Sequence, residues 1–524
     1  MSYCLKYKND WDAKLIFAKD EDLLRAENIK HIDKARWIWS WFYCRVLMRG
    51  KFICEKECSA KAVFYCDNNF DLYVNGNLVA NEVKEFDGEI SLCKGENCIA
   101  IRAYQTCNDD FFTSALIGKI DYNDGTEKSF VTNEDNYKWV FQQIFHYTPE
   151  PENWQTGEGN ERTPYGCHMH PRLYKRSCCF RGVFDVKKEV KNATLNVFTE
   201  GEADIFIGGK RINDEIFGQG IMDKIKEYRS FDVTHLVKKG SNVVGAITAN
   251  TWLNSESHSQ VSMKKPKIML EMCTEYTDGT KETFGTDKSW KAYFSPYTDN
   301  DLQFGERYDA RLEIDDIFCD GFDEEKLFGV DEQLPDGEYV LRNYEPVTIE
   351  KRLEPVSEEF KEGVYFFDFG INCMGRYSIK LNNTVSGQKI KVSFTECLLP
   401  DGTFNIRLYE PPLYISDIDE GKAKNLKNFD VYTCKGAKEE YFCPHFSYSG
   451  LRYIKVEGLE DRSQLSEIRL CVMRTGLEYS GSISTSYSPA VLIHDTSRHT
   501  FDSNLLNGAM DCPTREKNFW TVDM

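Results

Sequence analysis

The chain has 524 residues, of which 41% are hydrophobic and 14% aromatic, enough apolar material for roughly three or four packed cores and too much for a disordered or low-complexity polymer. Against 65 Lys and Arg stand 84 Asp and Glu, a formal net charge of −19, and a field of that sign repels phosphate backbones and anionic lipid. Nucleic acid and membrane surfaces are excluded as principal partners, and a neutral ligand is expected. No run reaches the roughly 18 apolar residues of a membrane span, and the opening MSYCLKYKNDWDAKL has no apolar stretch of the secretory kind, so a cytoplasmic chain is expected. The 19 cysteines are scattered without a CxxC pair and read as reduced, buried small hydrophobes rather than a disulfide framework.

Taken in chain order, the first half carries an internal repeat. One copy runs from Arg49-Gly50-Lys51-Phe52 through an alternating Phe70, Leu72, Val74 into Asn75-Gly76, then Lys94-Gly95-Glu96-Asn97, then Tyr122-Asn123-Asp124-Gly125. The second runs from Arg181-Gly182-Val183-Phe184 through Ala203 to Ile207 into Gly208-Gly209, then Lys239-Gly240-Ser241-Asn242, then Tyr276-Thr277-Asp278-Gly279. Apolar alternation into Asn-Gly or Gly-Gly predicts tight hairpins. Short strands with turn signals at this spacing predict two β-sandwiches in tandem, each a domain rather than a solenoid unit.

Residues 147–177, rich in Pro, Gly, Asn and Glu without periodicity, predict a surface linker. A second polar stretch near 315–340 precedes three strand-like runs around Val364–Gly370, Lys389–Phe394 and Leu451–Val456, which predict a third β domain. The texture changes at Ser488, where Pro489 opens a stretch in which Ile493, Ser497, Phe501 and Leu505 step by four, as in a helix. One helix cannot bury such a stripe alone, so it either packs on the β domains or begins a helical domain; exposed apolar surface is expected on it.

The last fourteen residues, DCPTREKNFWTVDM, gather three carboxylates, an arginine and a tryptophan. Carboxylates beside an indole suit a sugar, accepting hydroxyl hydrogen bonds while the ring covers an apolar face. On composition alone the plainer reading is a solvated charged segment.

The stretch DCPTRE followed by FWTVD resembles the motif of glycoside hydrolase family 78, the α-L-rhamnosidases. Phe304-Gly305-Glu306-Arg307-Tyr308-Asp309-Ala310-Arg311, Phe367 to Gly375 and Pro444 to Tyr453 resemble three further signatures of that family, and with Ala35-Arg36-Trp37-Ile38-Trp39 the resemblance runs along essentially the whole chain. It implies an inverting glycosidase acting on rhamnose-terminated oligosaccharides or glycosides without an organic cofactor, built from accessory β-sandwiches ahead of an (α/α)6 barrel. By motif position Glu516 is the general acid. Asp511, Arg515 and Asp523 hold the rhamnose hydroxyls or orient the acid, and Trp520 walls the pocket. Val522 departs from the glycine usual before the last aspartate. The family's general base, a glutamate far downstream, has no counterpart among these residues, so little turnover is expected of the chain alone. The competing expectation is a non-catalytic carbohydrate-binding or scaffold protein.

The expected organisation is mainly β, with tandem antiparallel, jelly-roll-like sandwiches: 1–145, a linker over 146–177, 178–325, 326–480, then the first helix of the barrel over 481–524. No metal is expected. Cys167, His168, His170, Cys178 and Cys179 match no standard ligand spacing, and Asp315-Asp316, Asp320 and Asp323-Glu324-Glu325 lack the glycine and terminal glutamate of a calcium loop. There is no GxGxxG, GxxxxGK[ST] or GxSxG, so neither a nucleotide site nor a serine nucleophile is expected. Oligomeric state is left open.

Overall fold

A computed structural model describes the chain except residues 1–4, 27–31, 33–34, 42–44, 105–112, 133–138, 145–153, 157–164, 168–173, 175, 213–225, 252, 254–263, 303–304, 362, 406–428, 507, 515–516 and 518–524. The architecture is mainly β, as expected, in three sheets that curl over their own cores. In the first, nine strands among the described residues between Trp37 and Cys167 enclose Ile38, Phe64, Phe70, Leu72, Ile101, Leu116 and Trp139. The hairpin at Asn75-Gly76 forms where it is expected. Both turn residues have positive φ, 50° and 82°, which Asn tolerates and Gly adopts freely. Gly208-Gly209 makes the matching turn in the second sheet with φ of 55° and 80°.

The second sheet closes over Phe180, Leu195, Ile205, Ala246, Leu270 and Trp290, and here the strand pairing departs from the expected boundaries. Strand Leu15–Ala18 pairs with Phe328–Gln333 and also meets Ile268, while Leu5–Tyr7 pairs with Glu338–Leu341. The strands Leu5–Tyr7 and Leu15–Ala18 therefore belong with the second sandwich rather than the first. The strands Tyr297–Asp301 and Gly305–Asp309, read from sequence as part of the second sandwich, pair instead in the third, where Gly305–Asp309 runs parallel to Phe429–Thr433. Strand partners hundreds of residues apart leave no trace in local alternation, which is why the sequence placed the boundaries at 145 and 325.

The third sheet is organised around the long strand Val364–Asn382, which pairs with Ser449–Glu457 and Leu465–Thr475. Its core holds Phe367, Tyr377, Ile379, Val392, Tyr432, Ile454 and Leu470. The expected helix forms over Ser488–Ser503 with Pro in its first turn. None of its residues is buried, and Leu492, Ile493 and Phe501 are 68%, 66% and 50% exposed. Among the described residues no helix is long and apolar enough to cross a membrane.

Candidate active site

Three of the signature stretches meet in the third sheet. Glu306 sits fully buried on Gly305–Asp309, and its carboxyl accepts hydrogen bonds from the backbone N–H groups of Phe446 at 2.6 Å and His445 at 3.2 Å. Its own N–H donates to Asp430 Oδ1 at 2.6 Å. Burial, with the neighbouring Asp430 carboxyl, pushes Glu306 well above the usual carboxylate range. Burial also raises Asp430, against the pull of nearby Arg307 and Lys517. A carboxyl sealed from solvent and occupied by backbone donors cannot exchange protons with a substrate. Glu306 therefore serves the scaffold, fixing the loop at 445–447 against the strand at 305–309. The second and third signatures are joined by Arg452, whose Nε and Nη2 each donate to Asp368 at 2.8 Å in a bidentate pair.

Past the exposed helix, the chain turns into this sheet. Leu506 and Met510 are buried with Leu302, Val347, Met374, Tyr448 and Met473, and Tyr448 donates its hydroxyl to Met510 Sδ at 3.3 Å. Pro513 and Thr514 are buried as well. Lys517 is 1% exposed. Its ammonium donates to the carbonyls of Leu302 at 2.5 Å and Tyr448 at 2.6 Å, and lies 4.8 Å from the centre of the Tyr448 ring. Burial lowers the ammonium to about 8, opposed by Asp301, Cys512 and Asp430, so the group still carries its proton at neutral pH.

Of the residues singled out by sequence, Asp511 is described: it is half-buried at the start of the anchored segment and accepts from the Cys512 thiol at 3.4 Å. Arg515, Glu516, Trp520 and Asp523 lie outside the described residues. Lys517 and Asp430 were not anticipated. A lone lysine in a charged stretch carries no periodic signal, and Asp430 stands in no motif. Glu306 lay within a quoted signature, but nothing in the sequence marked it as a buried structural acid. Among the described residues no group of His, Cys, Asp and Glu is arranged to hold a metal ion. The acidic run at 315–325 is not merely solvated, because Glu324 pairs at 2.9 Å with the buried Arg181.

Fold and site together define a class, a tandem β-sandwich protein whose third sandwich anchors an acid-bearing segment. Comparison with known proteins narrows it. Residues 188–351 match the α-L-rhamnosidase N-terminal domain, and residues 358–474 the bacterial α-L-rhamnosidase concanavalin-like domain. An α-L-rhamnosidase of Formosa agariphila is 28% identical over 369 residues, 66% of this chain and 36% of that protein, and one of Streptomyces avermitilis is 28% identical over 352 residues, 64% and 32%. The chain thus spans about a third of the length of these curated relatives. The crystal structure of the Streptomyces avermitilis α-L-rhamnosidase complexed with L-rhamnose shares the fold with a TM-score of 0.67 at 22% identity, covering 98% of this chain and 51% of that one. The Dictyoglomus thermophilum α-L-rhamnosidase gives a TM-score of 0.59 at 23% identity, covering 93% and 52%. The chain belongs to the α-L-rhamnosidase family.

Proposed function

We propose that the protein bearing this chain releases terminal α-L-rhamnose from oligosaccharides or glycosides with inversion, Glu516 protonating the leaving oxygen while Asp511, Arg515, Asp523 and Trp520 hold the sugar. The supporting observation is that Thr514 and Lys517, which bracket Arg515 and Glu516 in the chain, are both buried against the third sandwich. Inversion needs a separate base about 6.5–9.5 Å from the acid, with water between them. The 524 residues alone are expected to turn over little. The helix ahead of the motif has Leu492 and Ile493 in solvent, and an acid without enclosing walls is neither desolvated nor preorganised.

The test begins by reading the gene past codon 524 and assaying the whole open frame, beside the 524-residue chain, on an aryl α-L-rhamnoside. Expected are β-L-rhamnose as the first anomer seen by NMR and a loss of about 10²- to 10⁴-fold in kcat for Glu516→Gln. Release of the α-anomer would overturn inversion. Undiminished turnover in Glu516→Gln would remove the assignment of the acid, and rhamnose binding without turnover would favour a carbohydrate-binding role.

A further inference from the structure

Lys517 combines three features that a solvated lysine beside a catalytic acid would not need. Its ammonium is buried, which is costly unless its donors are satisfied, and two main-chain carbonyls satisfy them. Its backbone has φ of 54°, the left-handed region that non-glycine residues occupy only when the surroundings hold them there. Those two carbonyls belong to the third sandwich, one from Leu302 just past the strand Tyr297–Asp301 and one from the strand entry at Tyr448. Three residues earlier, Thr514 is packed over Gly450. A Cβ on Gly450 would stand 2.3 Å from both Thr514 Oγ1 and Glu396 Oε1, so the glycine is there for space. Glu396 is itself held by Asn372 Nδ2 at 3.1 Å.

We infer that Lys517 and Gly450 are positioning residues for the acid: the third sandwich grips Thr514 and Lys517, the chain neighbours of Arg515 and Glu516, and through that grip restrains the acid in the reaction. The inference rests on the reading of Glu516 as the general acid. The groups facing the Lys517 ammonium are Asp301 on the 297–301 strand, Asp430 on the 429–433 strand, Cys512 on its own segment and the Tyr448 ring. A methionine would fill the same volume without an ammonium to bury. The lysine's donors therefore contribute position, and displacement of a reacting group by about 1 Å costs on the order of 10²-fold in rate.

The experiment uses the whole gene product, with Lys517→Met, Gly450→Ala and Glu516→Gln beside the wild type. It measures kcat and KM on an aryl α-L-rhamnoside, the pH profile of kcat, and peptide-resolved hydrogen exchange. Lys517→Met is expected to lower kcat about 30- to 100-fold with KM within about threefold. It should also move the basic limb of the profile, which loss of folded molecules would not do. Exchange should rise about tenfold or more over 508–517 and stay unchanged over Val364–Asn382, with Gly450→Ala acting in the same direction. Unchanged exchange over 508–517 in Lys517→Met overturns the grip, whatever the activity. Loosened exchange with kcat within twofold and an unmoved profile overturns positioning and leaves a purely structural anchor. If Glu516→Gln retains full turnover while Lys517→Met loses it, the acid assignment falls, and so does the inference that Lys517 acts through Glu516.

Discussion

The first and second sandwiches are two uses of one scaffold, and their repeated positions can be compared atom by atom. Gly50 lies under Trp139 and Gly182 under Trp290, so close that a Cβ would stand 2.7 Å and 2.3 Å from the indole. Thr132 and Thr286 each close the same ring, donating N–H to the carbonyl of Gly118 or Leu270 and accepting through Oγ1 from that residue's own N–H. Arg49 reaches the Trp154 carbonyl, and Arg181 those of Ile317 and Cys319. The copies diverge at one buried acid. Asp71 binds Arg102 at 2.8 Å, within its own sandwich. Its counterpart Asp204 binds Arg211 at 2.6 Å and, across to the third sandwich, His445 at 2.6 Å. The repeat preserved what closes the scaffold and turned one of its internal carboxylates into a joint between domains.

The sharpest way to break this equivalence is at the tryptophans. Trp139→Ala and Trp290→Ala should each cost about 3–5 kcal/mol, since each opens a cavity and removes a buried indole. Hydrogen exchange should place the loss in Arg45–Cys54 for the first and Cys178–Val186 for the second. A cost below about 1 kcal/mol at either site would mean that the glycine and tryptophan pairing is incidental there.

Next in size is the divergent acid. Asp71→Asn should cost about 2–3 kcal/mol, confined to the first sandwich, because a charged hydrogen-bonded pair is weakened. Asp204→Asn should cost about as much but loosen exchange at His445–Ser447 as well. Burial alone would raise the Asp204 carboxyl, yet His445 and Arg211 outweigh it and hold the group below the ordinary range. A depressed carboxylate contributes stability above its unfolded value near 4 that is lost as pH falls through the folded value. The joint should therefore weaken in acid, and Asp204→Asn should flatten that dependence. Glu306 and Asp430, raised by burial, act with the opposite sign. Each binds its proton more tightly folded than unfolded, so their contribution declines as pH rises above the ordinary carboxylate range.

These pairs also mark how far sequence could see. The turns at Asn75-Gly76 and Gly208-Gly209 were legible because positive φ is a local demand that few residues meet. The helix at Ser488 was legible from its period and its proline, and the three signature stretches fall in the third sheet. What escaped depends on distance in the chain. The pairing of Leu5–Tyr7 and Leu15–Ala18 with strands beyond 325 has no local signature, nor does the meeting of Asp204 with His445. Ile493 and Phe501 showed which face of the helix is apolar, while the burial falls beyond the helix, on Leu506 and Met510, which pack with Leu302, Val347 and Met374. Motif position pointed to Asp511, Arg515, Glu516, Trp520 and Asp523, of which Asp511 is among the described residues. It said nothing of Lys517, whose role comes from two carbonyls supplied by remote segments.

The finest test of the repeat lies in its turn asparagines. Asn97 Oδ1 accepts from Cys93 N–H at 2.8 Å while Nδ2 donates to the carbonyls of Cys93 and Gly95. Asn242 does the same to Lys238 and Gly240, at 3.0, 2.6 and 2.8 Å. Both turns pass through a glycine of positive φ, Gly95 at 102° and Gly240 at 95°. Only an amide can accept one bond and donate two here, because a carboxylate in its place has no donor for the two carbonyls. Asn→Ala should thus cost about 1–2 kcal/mol at either position. Asn97 itself has one bond more than Asn242, from Asn75 Nδ2 to Asn97 Oδ1 at 2.9 Å, where the second copy has Gly208 and no side chain to supply it. Asn97→Ala should exceed Asn242→Ala by about 0.5–1.5 kcal/mol, and Asn75→Gly should erase most of that excess. If the excess survives Asn75→Gly, the extra bond is not its source, and the two turns differ in how well their surroundings relax around the lost amide.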